Sequence, residues 1–384
     1  MWGSVIVKKV AHIMIVITMI SLLMGLVIYE GSSNGNSNVV EVKAEVLEVD
    51  DSNVVQSGIS KIGDQELSIR IISGKHKGER IQAVNHLMGK LELDNFYKPG
   101  DTIIAGIMEE EGRIKAAKAI DLSRQNWEIV LFGVFVICLI VYAGFTGLKA
   151  LLSFVASLYI IWKFLIPGLL NGQNPLILTS LVLLLLSAVI IFSVAGFNKK
   201  GLAAFIGTVS GLLITIGVTM FFGSKLGLHG MTSPYAETLL FSGHLDLNMK
   251  HIFYAAIIIG ASGAAMDIAM DIAASMEEVK LKKPDISIKE LTQSGFQVGR
   301  SVIGTMATTL LLAYSGGYLT LLMLFMSKHS SFTRIVNMKI IAAEIMRTVI
   351  GSIGLVLVAP ITALVAGMIY SMKFKEAFKK DVRL

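Results

Sequence analysis

The segment GASGAAMDIAMDIAASMEE, from Gly260 to Glu278, brings carboxylates into a stretch that otherwise has the composition of a membrane-spanning helix. At about 100° per residue, its small and acidic side chains fall within about 60° of one line. This acidic stripe consists of Gly260, Gly263, Ala264, Asp267, Asp271, Ala274, Ser275 and Glu278. Small residues let a second helix approach closely, and carboxylates at membrane depth must face protein or water. We therefore expect the stripe to face the interior of a helix bundle.

The amino-acid composition places the chain among integral membrane proteins. Of its 384 residues, 54% are hydrophobic and 16% are charged, and the mean hydropathy is +0.69. Soluble domains carry about 25% charged residues. The formal charge of +6 does not by itself indicate nucleic acid, because basic residues collect on the cytoplasmic loops of membrane proteins. The partner that the composition predicts is the lipid bilayer, with no nucleic acid.

An apolar run at 10–29 follows Lys8 and Lys9 near the start of the chain. A basic start and an apolar centre also suit a signal peptide, but no small-x-small cleavage site is evident before Glu30. The run is nearly long enough to cross a bilayer. We therefore predict an uncleaved N-terminal transmembrane helix within residues 1–30.

Residues 31–126 differ in composition from the apolar run before them. They begin with a polar linker at 31–38. Five segments alternate apolar and polar residues with the period of a β-strand: VVEVKAEVLEV, ELSIRII, RIQAVN, DTIIAGI and GRIKAAKAI. They predict a small antiparallel β domain, either an OB-like barrel or a barrel sandwich. Residues 41–124 hold 15 acidic and 12 basic residues, and this mildly acidic balance argues against nucleic-acid binding.

Residues 127–372 are predicted to form a seven-helix membrane domain, followed by a basic tail at 373–384. Seven apolar runs have roughly the 20 residues that a bilayer core requires: about 128–148, 150–170, 175–197, 201–223, 251–272, 301–326 and 345–371. With the N-terminal helix, the predicted fold is an α-helical polytopic membrane protein of about eight transmembrane helices. Gly316 and Gly317 interrupt one run, as a simple kink or as a broken helix that lines a binding site.

Lysine and arginine counts predict the orientation of these helices. The N-terminus, the joints at 149 and 199–200, the 280–300 loop and the C-terminal tail together hold 15 basic residues. The opposite loops, at 224–250 and 327–344, hold five. The positive-inside rule places the richer set in the cytoplasm. Both termini are therefore predicted to be cytoplasmic, and the β domain extracytoplasmic.

Asp267 and Asp271 lie one helical turn apart, toward the predicted cytoplasmic side of the membrane. Two such carboxylates can share a proton, receive a cation or pair with a base such as Arg300. Alternatively, they cap a solvated helix end beside loop lysines, or they bind a metal ion. Asp267 is the deeper of the two and the first candidate for ion or proton coupling.

Further side chains are candidates for helix packing. On the acidic stripe these are Gly260, Gly263, Ala264 and Ser275. The helix at 301–326 presents small and hydroxyl residues that suit packing against Asp267: Gly304, Thr305, Thr308 and Thr309. Glu344 and Arg347, near the start of the last helix, are spaced to form an ion pair.

The sequence lacks the motifs of soluble enzymes. It contains no Walker loop, dinucleotide fingerprint, His-Glu-x-x-His or Gly-x-Ser-x-Gly motif. His244, Asp246 and His251 are weak candidates for a metal site, but their spacing matches no sharp motif and favours a solvated role. We therefore predict a protein without enzymatic activity and without a cofactor.

The order of these elements resembles a known family. A first helix, an external domain of this size, and a membrane domain with GASGAAMDIAM at 260–270 before Glu277 and Glu278 look like the YibE/YibF-like family of bacterial multi-pass membrane proteins. The resemblance implies a bacterial plasma-membrane location and no particular biochemical activity. The family motif often has a small polar residue in place of Asp271, so the resemblance makes Asp267 the stronger functional candidate.

A weaker resemblance concerns mechanism. Residues 258–324 combine small residues, an intramembrane aspartate, an acidic helix exit, a basic loop and GRSVIGTMATTLLLAYSGG. This order is similar to the proton-using helices of SecF-like and RND-type exporters, which also place an external domain after their first helix. The chain has two more predicted spans than SecF, and residues 258–324 lack an obvious pair of aspartates in adjacent positions.

Two functions follow as hypotheses. In the first, the protein is a secondary transporter or exporter component in which Asp267 binds a proton or a cation. In the second, it is a non-transporting membrane scaffold or envelope sensor whose β domain binds extracytoplasmic partners. A second membrane-protein subunit or a homo-oligomer is compatible with both.

Overall fold

The computed structural model describes residues 39–110, 112–327 and 331–372. The predicted N-terminal helix at 1–30 and the basic tail at 373–384 lie outside these ranges. The chain divides into two compact units, residues 1–142 and 143–384.

Five strands form a closed barrel in the first unit. They are β1 (Val39–Ser57), β2 (Ser60–Ile71), β3 (Arg80–Met88), β4 (Thr102–Glu110) and β5 (Arg113–Leu122). The order around the barrel is β1-β2-β3-β5-β4, with β4 returning to β1. Strands β3 and β5 are parallel and the other pairs are antiparallel. All five predicted strand segments are confirmed, and the closed five-stranded barrel agrees with the OB-like alternative.

The barrel core follows from the two-residue period of its strands. Inward positions are apolar and almost fully buried: Val42, Ala44, Val46, Leu67, Ile69, Ile71, Ala83, Ile103, Ala105 and Ile107. Strand β1 bends through a register shift between Asp50 and Asn53. Opposite this bend, Gly63 has φ +116°, and a Cβ there would lie 2.1 Å from the carbonyl oxygen of Asn53. Only glycine fits this close approach of two strands.

A buried amide network holds the β3–β4 connection across the barrel. Gln65 is completely buried, and its Nε2 donates to Asp51 Oδ1 and to the Tyr97 carbonyl, both at 2.9 Å. Its Oε1 accepts from Asn85 Nδ2 and from the Tyr97 backbone N–H, both at 3.0 Å. Asn85 also donates to the Asn95 carbonyl at 2.7 Å. Burial raises the pKa of Tyr97 to about 12, so the ring stays neutral against the core.

His76 joins the β2–β3 loop to strand β4. Its two ring nitrogens lie 2.9 Å from the carboxylates of Glu79 and Glu109, and the side chain is almost fully buried. A neutral imidazole has one N–H donor, whereas the protonated ring has two. The hydrogen bond to Glu79, with that to Glu109, therefore raises the pKa of His76. Lys75, whose Nζ is 3.8 Å from Glu109, is the other charged group at this cluster.

We expect this part of the barrel to loosen as the pH rises. Because the folded-state pKa of His76 lies above the usual histidine value of about 6.5, protonation of His76 stabilises the fold. This contribution is complete below about pH 6.5 and is lost as the pH rises through the folded-state pKa. The protection factors of residues 73–79 and of β4 in the full-length protein, taken relative to the intrinsic exchange rate at each pH, should fall over that interval. The variant His76→Gln should remove the pH dependence. His86→Gln, which changes an exposed histidine paired with Asp64, should leave it in place, and an unchanged profile in His76→Gln would contradict the assignment.

Ten α-helices and one π-helix follow the barrel within the described part of the chain. They are α1 (Gln125–Ile160), the π-helix Ile161–Leu165, α2 (Ile166–Leu170), α3 (Pro175–Ala195), α4 (Lys199–Lys225), α5 (Ala236–Phe241), α6 (Met249–Lys282), α7 (Ile288–Gly317), α8 (Leu319–Ser327), α9 (Phe332–Asn337) and α10 (Lys339–Ser371). Five helical stretches are long and apolar enough to cross a membrane, or six if α7 and α8 form one bent span. The described residues therefore do not confirm the count of eight.

The difference in count arises mainly at the start of the helical region. The runs predicted at 128–148 and 150–170 form one helical stretch of 46 residues, Gln125–Leu170. Lys149, the predicted joint, is helical, and the backbone leaves helical geometry instead at Gly144, with φ 53° and ψ −126°. A single lysine does not stop a helix, whereas positive φ is readily available to glycine. Its 46 residues are more than twice the roughly 20 that a bilayer core requires.

The bend between α7 and α8 lies where the sequence indicated an interruption. The two helices meet at 66°, and Tyr318, just after Gly316 and Gly317, is the residue between them. Its backbone N–H donates to the Ser315 carbonyl. The predicted interruption is therefore a sharp break in the helix.

The core of the second unit is built by α4, α6, α10 and the first half of α7. Close contacts occur at glycines: Gly207 on Thr362, Gly211 on Val358, Gly295 on Met276 and Ala363, Gly299 on Ala359 and Ile272, Gly354 on Thr215, and Gly367 on Thr292. Four of these glycines form two Gly-x-x-x-Gly pairs, at 207–211 and 295–299, which let helix backbones approach closely. Tyr370 of α10 also donates to the Ala273 carbonyl of α6 at 2.7 Å.

Candidate functional site

Helix α6 buries the face opposite to the acidic stripe, so the predicted orientation of the stripe is wrong. Gly260, Gly263, Asp267, Asp271 and Glu278 are exposed, and Ala264, Ala274 and Ser275 are partly buried. The buried face consists of Ile257, Ile258, Ala261, Ala265, Met266, Ile268, Ala269, Ile272, Ala273 and Met276.

The physical reason is a second row of small residues on the same helix. Ala261, Ala265, Ala269 and Ala273 recur every four residues and are all buried. This row permits the same close approach as the acidic stripe, and it brings no carboxylates into the core. The apolar row therefore faces the bundle, and the carboxylates are left on the outer side of α6.

Asp267 and Asp271 line one open cavity of about 440 Å³ between α3, α6 and α7. Ile191 and Val194 of α3 and Met306 of α7 provide apolar walls. Within the described ranges, neither carboxylate forms a hydrogen bond or an ion pair. The site is therefore an acidic, partly open groove whose two charges have no neutralising partner among these residues.

Arg300 does not approach either aspartate. It lines cavities on the other side of α7, toward α10, together with Phe296. The neighbouring Gly299 packs against Ile272, so Arg300 lies at nearly the depth of Asp271 but across the helix. The pairing considered from the sequence is not formed.

The hydroxyl residues of α7 also differ from the prediction. Thr308 donates to the Gly304 carbonyl at 3.1 Å, and it faces a cavity beside α10. A Cβ at Gly304 or Gly263 would meet no atom within 4 Å, whereas one at Gly260 would lie 2.7 Å from Tyr314 Oη. Among the predicted packing glycines, Gly260 is therefore the one that contacts another helix within residues 39–110, 112–327 and 331–372.

The acidic exit of α6 is paired, in contrast to the aspartates. Glu277 lies 3.4 Å from Lys200, the second residue of α4. The alternative in which loop lysines neutralise the acidic residues therefore applies to Glu277. It does not apply to Asp267 or Asp271 within the described part of the chain.

A polar cluster joins α7, α8 and α10 at the other end of the bundle. Arg347 pairs with Glu344 at 3.1 Å, which confirms the predicted ion pair, and it donates to Tyr318 Oη at 3.2 Å. The guanidinium also lies 5.7 Å from the centre of the Phe253 ring. We did not predict from the sequence that Tyr318 contacts Arg347, although the two glycines before Tyr318 indicated a break in the helix at this position.

The metal candidates do not assemble into a site. His251 contacts Asn248 at 3.2 Å, and no cluster of three or more histidine, cysteine, aspartate or glutamate residues suited to a metal ion is found in the described ranges. His244, Asp246 and His251 thus have no metal-binding geometry there.

The long apolar helices have the length and composition of membrane spans, and they follow a small N-terminal β barrel. Residues 131–372 match the family described as YibE/F-like protein, and residues 37–122 match the YibE/F family N-terminal domain. The chain therefore belongs to the YibE/F-like family. No curated protein and no solved structure matches it.

Proposed function

We propose that the protein is a secondary transporter or exporter component in which Asp267 binds a proton or a cation. It acts in the bacterial plasma membrane, with both termini in the cytoplasm and the barrel outside, as the distribution of basic residues indicates. The barrel serves as an external receptor or exit module. The proposal includes no enzymatic step and no cofactor, and it allows a second membrane subunit or further copies of the chain.

The observation that carries the proposal is the groove between α3, α6 and α7. Two carboxylates, Asp267 and Asp271, line it without an ion-pair partner in the described ranges. An acidic side chain costs about 2.5–3.5 kcal/mol at the bilayer centre on insertion scales, and Asp267, toward the cytoplasmic side, carries a part of that cost. A bound proton or cation removes that cost, and it also removes the repulsion between the two neighbouring charges. Reversible binding in an open groove is the chemistry that coupling requires.

Replacing Asp267 with Asn is expected to abolish coupled transport while the protein still folds. The amide keeps the shape of the side chain and removes its charge, and Asp267 is exposed. Full-length protein in proteoliposomes with an imposed pH gradient, monitored by an internal pH dye, gives the readout. Wild type should conduct protons and Asp267→Asn should not.

Two matched variants sharpen this test. Glu278→Gln removes an exposed carboxylate of the same stripe outside the groove and should leave proton flux unchanged. Asp271→Asn should reduce the flux less than Asp267→Asn, because Asp267 lies deeper. Equal proton flux in wild type and Asp267→Asn would rule out proton coupling through Asp267.

A scaffold function is the second candidate, and an apolar row on the barrel favours it. Val55, Ile62 and Met88 are register neighbours on β1, β2 and β3, and they are 67%, 45% and 56% exposed. Ile59, in the adjoining turn, is 83% exposed. Such a row suits an extracytoplasmic protein partner. Unchanged proton flux in Asp267→Asn would favour this candidate.

A further inference from the structure

A second groove runs along the other side of α7, between α7 and α10. It consists of three cavities of about 690, 340 and 480 Å³. The first two share Phe296 and Arg300, and the last two share Val356. The cavities therefore follow one another along the two helices.

The chemistry of this α7–α10 groove changes along its length. The largest cavity carries two cationic side chains, Lys289 and Arg300, and two amides, Gln293 and Gln297. No carboxylate lines any of the three cavities as the described residues form them. The last cavity is mainly apolar, and its hydroxyl at Ser352 is already bonded to the backbone of its own helix.

The polar end of the groove lies at the membrane surface. Gly299 packs on Ile272 of α6, which places Arg300 near the level of Asp271. Beyond that level α6 continues through Glu277, Glu278 and Lys280, a charged segment that lies outside hydrocarbon. Lys289 is about 16 Å further along α7 from Arg300, in the same direction. Cationic groups thus face the interfacial region, and the apolar part extends into hydrocarbon.

We propose that the α7–α10 groove binds an anionic phospholipid of the surrounding bilayer. The headgroup phosphate lies near Arg300, with Gln297 as an amide donor, and Lys289 attracts the negative headgroup region. One acyl chain follows Phe296 and Val356 into the apolar cavities. Basic pockets between membrane helices are suited to anionic headgroups.

Two other occupants fit the groove less well. A soluble anion such as inorganic phosphate would use the basic end and leave the two apolar cavities unfilled. The predicted N-terminal helix has an apolar run at 10–29 that contains no aspartate or glutamate, so it cannot neutralise Arg300 or Lys289. A phospholipid satisfies both ends of the groove at once. The proposal does not depend on the role of Asp267.

The test is lipid retention by the full-length protein, measured by native mass spectrometry after release from mixed vesicles of phosphatidylglycerol and phosphatidylcholine. Wild type should retain phosphatidylglycerol preferentially. Arg300→Gln should lower this preference about tenfold, and Lys289→Gln should lower it less, because charge attraction weakens with distance from the headgroup. Lys282→Gln makes the same charge change at the same membrane surface outside the groove and should have no effect.

A steric variant tests the acyl-chain part of the groove. Val356 is 43% exposed, so Val356→Trp fills the junction between two cavities without altering the core, and it should also reduce retention. Equal retention of the two lipids, or wild-type preference in Arg300→Gln, would overturn the proposal. Displacement of the lipid by inorganic phosphate would assign the groove to a soluble anion. Crosslinking of Arg300→Cys to residues 10–29 or to a second copy would assign it to protein.

Discussion

Replacing Gly207 with Leu is expected to destabilise the helix bundle by about 3 kcal/mol or more, the upper range for overpacking a dense interior. A Cβ at Gly207 would lie 2.2 Å from Thr362 Oγ1 and 2.9 Å from the Thr362 Cα. The second contact involves the backbone of α10, so a change of side-chain rotamer cannot relieve it. Chemical denaturation of the full-length protein in detergent micelles, followed by helical circular dichroism, measures the loss.

Gly263→Leu on α6 is the matched control. A Cβ there would meet nothing within 4 Å, and leucine favours a helix over glycine by up to about 1 kcal/mol. We expect unchanged or slightly higher stability. A loss as large as that of Gly207→Leu would contradict the exposed position of the acidic stripe, and it would show that another helix packs there.

Replacing Gln65 with Ala is expected to cost the barrel about 3–5 kcal/mol. The change removes four hydrogen bonds and leaves the backbone N–H and carbonyl of Tyr97, together with Asn85, without those partners. Each buried polar group that loses its partner costs about 1–3 kcal/mol. Hydrogen exchange of the full-length protein, read at β2 and β3 and at residues 89–101, should show the loss of protection.

The control for this barrel variant is Gln82→Ala. Gln82 is on β3 and is exposed, so its removal should change exchange by little. Wild-type protection in Gln65→Ala would mean that water replaces the amide network. The network would then not be needed to hold the β3–β4 connection.

The barrel was predictable because each strand carries its own pattern. Alternation over a few residues identifies a half-buried strand, and the five segments match the observed strands closely. The closure of β4 on β1 and the bend at Gly63 depend on pairing between distant strands. No local pattern specifies those contacts.

The acidic face of α6 was visible in the sequence, but the direction in which it points was not. Periodicity showed that α6 has a small acidic face, yet it cannot say which face of a helix is covered when two faces carry small residues. The alanine row at 261, 265, 269 and 273 was visible in the sequence, as were the glycine pairs at 207–211 and 295–299. Their significance depended on which helices are neighbours, and that is set by the whole bundle.

The separation of Arg300 from Asp271 has the same origin. Both residues are at similar depth, and sequence position alone made them plausible partners. The rotation of α7, set by Gly295 and Gly299 against α6 and α10, directs Arg300 to the opposite side. A rotation of this kind is a tertiary property that charge counting does not predict.

The glycines of α7 are packed unevenly along the helix. Its first half is held tightly at Gly295 and Gly299, whereas a Cβ at Gly304, Gly316 or Gly317 would meet nothing within 4 Å. The acidic groove lies on one side of the helix and the α7–α10 groove on the other. Because α7 forms a wall of both grooves, any tilt of this helix would narrow one groove by the same movement that widens the other.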